Sequence, residues 1–210
     1  MAGLSPGALC KLETDGQCLL EPLVRVAQAL GLLDMLNDLF VLKRQSIPVH
    51  SLAGLLQVDF RLPGATDYTA FLRATRFLTR DEREVEKAYA RAVFNVLFHN
   101  RDDHPKNFAW RLGRDRRWRL APAFDLTFSA GPMGQHHLDV CGEGAVIERQ
   151  HLLRLAKEGG VGAKQAQEII DRMLAQASSL GERFECAPIR RTTAQQIKSV
   201  IDTCRQCLGR

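Results

Sequence analysis

The residue pattern predicts an α+β domain that is mostly helical and carries one small β-insert. Three observations lead there. Several stretches place apolar residues at helical spacing. Two short runs, Phe108 to Leu112 and Arg117 to Leu120, flank the turn-forming Gly113-Arg114-Asp115 and read as a hairpin. No internal repeat or low-complexity segment interrupts this pattern.

Taken in order, residues 1 to 18 hold two turn-formers, Leu4-Ser5-Pro6-Gly7-Ala8 and Thr14-Asp15-Gly16, and predict loop or a short irregular hairpin. Leu19, Leu23, Val26, Ala27 and Leu30 share a helical face. Pro22 fits only in a first turn, so that helix begins near Glu21 and stops at Gly31. Phe40 to Lys43 reads as a short strand. Residues 50 to 66 are mixed, with a helical turn over Leu52 to Leu56. Thr79-Arg80-Asp81-Glu82 has the form of a capping box and opens the strongest helix, whose stripe is Val85, Ala88, Tyr89, Ala92, Val93, Val96 and Leu97. That helix delivers the polar loop Arg101 to Asn107, where Pro105 argues against helix. After the hairpin, Ser129 to Gly134 reads as a flexible loop. Helices follow over Gln150 to Lys157, over Ala163 to Leu180, and from a second capping box at Thr192 to Gln195.

With 210 residues, 45% of them apolar, the chain can bury the core of one domain with a small appendage. Lys plus Arg exceeds Asp plus Glu by 29 to 24, or +5. So mild an excess suits a phosphate-bearing ligand or an acidic partner and argues against direct nucleic-acid binding. Met1 to Gly16 lacks the basic-then-apolar order of a secretory leader. The greasiest run, Leu19 to Leu36, is broken by Glu21, Arg25, Gln28 and Asp34, so it predicts a core helix and no membrane span. Six cysteines without export predict reduced thiols and a cytoplasmic setting. Cys204-x-x-Cys207 has no second pair to complete a zinc site and reads as a helical stripe.

The chemistry concentrates between Phe94 and Leu126. Asp102 and Asn107 stand five residues apart on a loop after a buried helix, and Asp125 follows the hairpin. Phosphoryl transfer of the protein-kinase type uses such parts: an aspartate to accept the substrate hydroxyl proton, an asparagine for Mg²⁺, and a later aspartate for the metal. Hard oxygen ligands suit Mg²⁺. Lys106 can set a positive charge near the transferring group. By residue type alone, an ion-paired loop aspartate, a turn asparagine and a capping aspartate are the favoured reading. His104 reads as a hydrogen-bonded structural histidine, and His136-His137 as a satisfied or exposed pair. Arg111, Arg114, Arg116, Arg117 and Arg119 make a basic hairpin, either a solvated face or a guide for an acidic or nucleic-acid-bound substrate.

Asp102-Asp103-His104-Pro105-Lys106-Asn107-Phe108 followed by Trp118-Arg119-Leu120-Ala121-Pro122-Ala123-Phe124-Asp125-Leu126 resembles the HipA-like serine/threonine kinases, toxins of bacterial toxin–antitoxin modules. Phe94 to Leu97, Leu52 to Leu56, Asp59 to Pro63 and His136 to Gly142 extend the resemblance, which covers roughly residues 40 to 180. It implies a kinase-like helical C-lobe and ATP and Mg²⁺ as cofactors. Asp102 would be the general base, with Lys106 assisting it, and Asn107 and Asp125 would be metal and nucleotide ligands. A protein Ser/Thr substrate and a DNA-binding antitoxin partner are implied as well.

Two departures accompany it. Ser5-Pro6-Gly7-Ala8-Leu9-Cys10-Lys11 resembles a shortened phosphate loop, in which Ser5, Gly7 and Lys11 would face the nucleotide, and the strand bearing the ATP lysine is not recognisable. The expected division is a reduced N-terminal segment over residues 1–45 and a HipA-like C-terminal domain over 46–210. The leading expectation is a protein kinase of impaired activity. A catalytically inactive fragment that binds a DNA-binding antitoxin is the alternative. A third is a metal-dependent phosphohydrolase using Asp102, Asp103, His104 and Asp125, binding metal without nucleotide.

Overall fold

The computed structural model describes residues 48–185 and 189–209. The expected Leu19 helix, the strand at Phe40 to Lys43, and Ser5, Gly7 and Lys11 lie outside the described residues. Within them the architecture is α+β: a helical body with a three-stranded antiparallel sheet on one side.

Strand β1 (Val49–Ser51) runs directly into helix α1 (Leu52–Leu56), capped by the Ser51 hydroxyl, which accepts from the Gly54 amide at 3.1 Å. Helix α2 (Tyr68–Thr79) follows, capped by Asp67, and α3 (Glu82–Leu97) folds back against it after two residues. The chain then makes a one-turn 3₁₀ segment at Pro105–Asn107 and the hairpin β2 (Ala109–Leu112) and β3 (Trp118–Leu120). Helices α4 (Arg149–Gly159), α5 (Ala163–Ser178), α6 (Leu180–Glu185) and α7 (Arg191–Leu208) close the body. The sheet order is β1-β2-β3, with Ser51 opposite Ala109 and Trp110 opposite Leu120. Among the described residues no helix is long and apolar enough to cross a membrane.

Helix α3 is the axis of the core. Its stripe of Val85, Ala88, Tyr89, Ala92, Val93, Val96 and Leu97 is fully buried, as its period requires. Phe71, Phe108 and Trp110 interlock where α2 meets the sheet, with Phe71 and Phe108 ring centroids 4.4 Å apart. Two buried polar groups fasten helix to strand. Glu84 of α3 accepts from the Leu120 amide at 2.8 Å, and Trp110 donates its indole N–H to Thr75 at 3.2 Å.

Three local expectations are corrected. The cap of α3 is Asp81, whose carboxylate accepts from the Arg83 amide, because Thr79 still belongs to α2 and its hydroxyl donates to the Thr75 carbonyl. Glu82 pairs with Arg76 instead of reaching back. The box at Thr192 is absent too: α7 begins at Arg191, so Thr192 is already helical. Pro105 does not exclude helix but opens the 3₁₀ turn, at a first position where no N–H is needed.

Close helix packing at Gly159 gives a test. A Cβ there would stand 2.3 Å from Leu72 Cδ1 and 3.2 Å from its Cβ. Gly159→Ala is therefore expected to lower stability by about 1–3 kcal/mol through overpacking. In urea unfolding, combining it with Leu72→Ala should remove most of that additional cost.

Candidate functional site

The polar loop is held by one buried carboxylate. Residues 101–104 form no regular element, and His104 has an extended backbone. Asp103 points inward and is fully buried, while Asp102 and His104 share the opposite side. Asp103 Oδ2 accepts from the Tyr68 hydroxyl at 2.6 Å and from His136 Nδ1 at 2.7 Å, and Oδ1 accepts from the His137 amide at 2.8 Å. Behind it the network continues inward: Asn95 donates to Tyr68 at 2.9 Å, and Asn100 donates to Asn95 at 3.0 Å. Burial, and then the Asp103 charge, push the Tyr68 hydroxyl well above its ordinary range, so it is a neutral donor.

The loop's other attachments are to main chain. Arg101 Nη2 donates to the Ala145 carbonyl at 2.7 Å, and Nη1 to that of Gly134. Asn100 pairs in parallel with Ser129, whose amide donates to the His99 carbonyl at 3.0 Å. That pairing draws the segment after β3 alongside the loop. Asp125 takes a left-handed backbone, φ 55°, a conformation Asp tolerates better than most residues.

The result is a cluster. One ligand atom from each of Asp102, His104 and Asp125 lies within 4.8 Å of the others. The two carboxylates offer hard oxygen donors that fit a divalent cation such as Mg²⁺. His104 departs from its expected hydrogen-bonded role. Among the described residues its Nδ1 is buried without a partner, its Nε2 is 3.9 Å from Asp102 Oδ1, and its ring packs edge-on against Phe60 and His137. Asn107 donates its amide to the Asp102 carbonyl at 2.9 Å, and Lys106 Nζ sits 3.6 Å from the Phe60 ring centroid. His136 is buried and satisfied, and His137 half-buried with its Nδ1 3.1 Å from the Arg101 carbonyl oxygen, as a structural pair should be.

Sequence reasoning did not foresee Tyr68, Asn95, Asn100 or Arg101 as supports of this loop. Asn95 carried a signal, a polar residue beside the apolar stripe of α3. Tyr68 carried none, because nothing local distinguishes it from a core aromatic.

The family model described as the HipA-like C-terminal domain matches residues 30–180, and the chain belongs to that family. Among solved structures, a chain of the Shewanella oneidensis MR-1 complex of HipA, HipB and operator DNA matches with a TM-score of 0.54 at 16% identity. The match covers 67% of this chain and 34% of that one, so this chain spans about a third of that protein's length. A search of curated proteins finds no significant match.

Two outcomes test the site's supports. Asp103→Asn forces an amide N–H toward one of three donors, and urea unfolding should show a loss of about 3 kcal/mol. His99, at the loop's entrance, is held at about 4, below its ordinary 6.5, by burial and then by Arg101 and His136. Its neutral form is favoured in the folded state, so its contribution is present above the ordinary value and is lost as pH falls from there toward 4. Asn tolerates the left-handed φ of 54° at this position, so His99→Asn should flatten that part of the Tm–pH curve.

Proposed function

We propose that this chain carries the acceptor-activating and metal-binding part of a HipA-like serine/threonine kinase, which transfers the γ-phosphoryl group of Mg-ATP to a protein hydroxyl. The observation that carries the reading is the convergence of Asp102 and Asp125, drawn from separate loops, while Asp103 beside them is locked into the core. On this reading residues 46–210 form the catalytic domain, and Ser5, Gly7 and Lys11 belong to the nucleotide-holding segment over 1–45.

Asp102 is anchored through its own main chain, because Asn107 and its neighbour Asp103 fix the backbone on either side. Its half-exposed carboxylate is free to accept the proton of an incoming serine or threonine hydroxyl. Asn107 commits its amide N–H to the loop, which leaves its side-chain oxygen as a donor to a cation. Asp125 supplies the second hard ligand. Mg²⁺, when bound, neutralises charge on the phosphoryl group. Lys106, stacked on Phe60, adds a positive charge at the same rim. A DNA-binding antitoxin is the proposed partner, by likeness to the Shewanella assembly of HipA, HipB and operator DNA. The free thiols of Cys141, Cys204 and Cys207 favour a reducing, cytoplasmic setting.

One observation favours a second reading. His104 joins the two aspartates and neither ring nitrogen is hydrogen-bonded, a donor set that suits a metal-dependent phosphohydrolase. Calorimetric titration with Mg²⁺ and ATP, beside Asp125→Asn, separates the readings. Micromolar binding that requires both nucleotide and Asp125 is expected, with phosphotransfer lost in Asp102→Ala. Metal binding indifferent to nucleotide favours the hydrolase. No binding by the folded chain leaves a non-catalytic module that docks an antitoxin.

A further inference from the structure

Away from the loop, a groove of about 820 Å³ lies between the α2–α3 turn and the β2–β3 hairpin. Five arginines line it: Arg80, Arg83, Arg116, Arg117 and Arg119. Every acidic group beside them is already engaged. Asp81 pairs with Arg83 at 2.8 Å, Glu82 with Arg76 at 2.6 Å, and Asp115 with Arg119 at 2.5 Å. The guanidinium groups of Arg80, Arg116 and Arg117 have no ion-pair or hydrogen-bond partner among the described residues. The chain's mild net charge thus conceals a local excess of three unpaired guanidinium groups on one face.

A second observation is independent of charge. Arg80 and Arg116 both occupy left-handed backbone, φ 52° and 58°, at a helix C-cap and a hairpin turn where glycine or asparagine costs less. Two positions on the same groove where glycine would cost less therefore both carry arginine; Gln57, Met133 and Cys141 take the same backbone elsewhere, so the weight rests on the unpaired guanidinium groups.

We infer that this groove binds the phosphate backbone of DNA through Arg80, Arg116 and Arg117. Planar guanidinium forks match phosphate oxygens bidentately. Arginine clusters also take acidic peptides, and that occupant is the competing outcome of the test. Contacts confined to phosphates predict binding that is indifferent to base sequence. The inference uses neither Asp102 nor Asp125 and stands whether or not the chain is a kinase.

The test is fluorescence anisotropy of the full chain with a labelled random-sequence DNA duplex across salt concentrations. Three phosphate contacts predict a log–log salt slope of about −2.7, which is roughly 40-fold weaker binding when salt rises from about 50 to about 200 mM. Arg80→Gly and Arg116→Gly should each lower the slope by about 0.9 while leaving Tm unchanged or raised, because glycine suits both backbones. Loss of binding from these variants then cannot be attributed to unfolding. Arg117→Ala added to both should remove the salt dependence. Duplex binding unaltered in the triple variant, or absent from the parent chain at low salt, overturns the inference. So does a poly-glutamate peptide that binds with the same arginine dependence while the duplex does not. A fall in Tm for either glycine variant removes the strain argument.

Discussion

The burial of the Asp103 carboxylate is the constraint on which the site depends. An ionised carboxylate taken out of water costs several kcal/mol unless donors replace its hydration. Here three donors do so, and they come from distant parts of the chain: Tyr68 at the start of α2, and His136 and His137 after the sheet. The loop's placement is thereby tied to both α2 and the 136–137 segment. With Asp103 locked inward, Asp102 and His104 lie together on the other side of the loop. The position of those two side chains thus depends on the burial of the third.

This explains which features were legible in the sequence. Helices α3, α4 and α5 are carried by apolar periodicity, and the hairpin by its turn residues, so their existence could be read directly. Helix α2 could not. Its inward face includes Thr69 and Thr75, both buried, which blur the apolar stripe. Thr75 is tolerated there because its hydroxyl donates to the Phe71 carbonyl and accepts from Trp110, a partner 35 residues away. Thr79 is the last residue of α2, which is why the cap of α3 falls on Asp81 and not on Thr79. Errors of this kind follow from long-range hydrogen bonds that satisfy polar groups at core positions.

The site shows the same division. The spacing of Asp102, Asn107 and Asp125 pointed to the loop and to a metal-binding chemistry, and the fold brings Asp102 and Asp125 together. Nothing local distinguishes Asp102 from Asp103, however. Identical side chains one residue apart receive opposite environments because the partners that choose between them lie more than 30 residues away on both sides. His104 was misread for a related reason. A histidine in a polar loop suggests a hydrogen bond, whereas its ring here is wedged between Phe60 and His137 with a nitrogen left over.

Left-handed backbone in this chain is not confined to glycine. The helical body places its left-handed turns partly on glycine, as at Gly160, where conformation alone matters. Elsewhere the same conformation is imposed on His99 and Asp125 beside the loop, and on Arg80 and Arg116 beside the basic groove. Each costs folding free energy that glycine would lessen. Asp125 belongs to the cluster it forms with Asp102 and His104, and Arg80 and Arg116 line the basic groove with their guanidinium groups unpaired among the described residues. Gln57, Met133 and Cys141 carry the same conformation, so strain alone does not mark a functional surface. What sets Arg80 and Arg116 apart is that their guanidinium groups stand unpaired, among the described residues, on one groove.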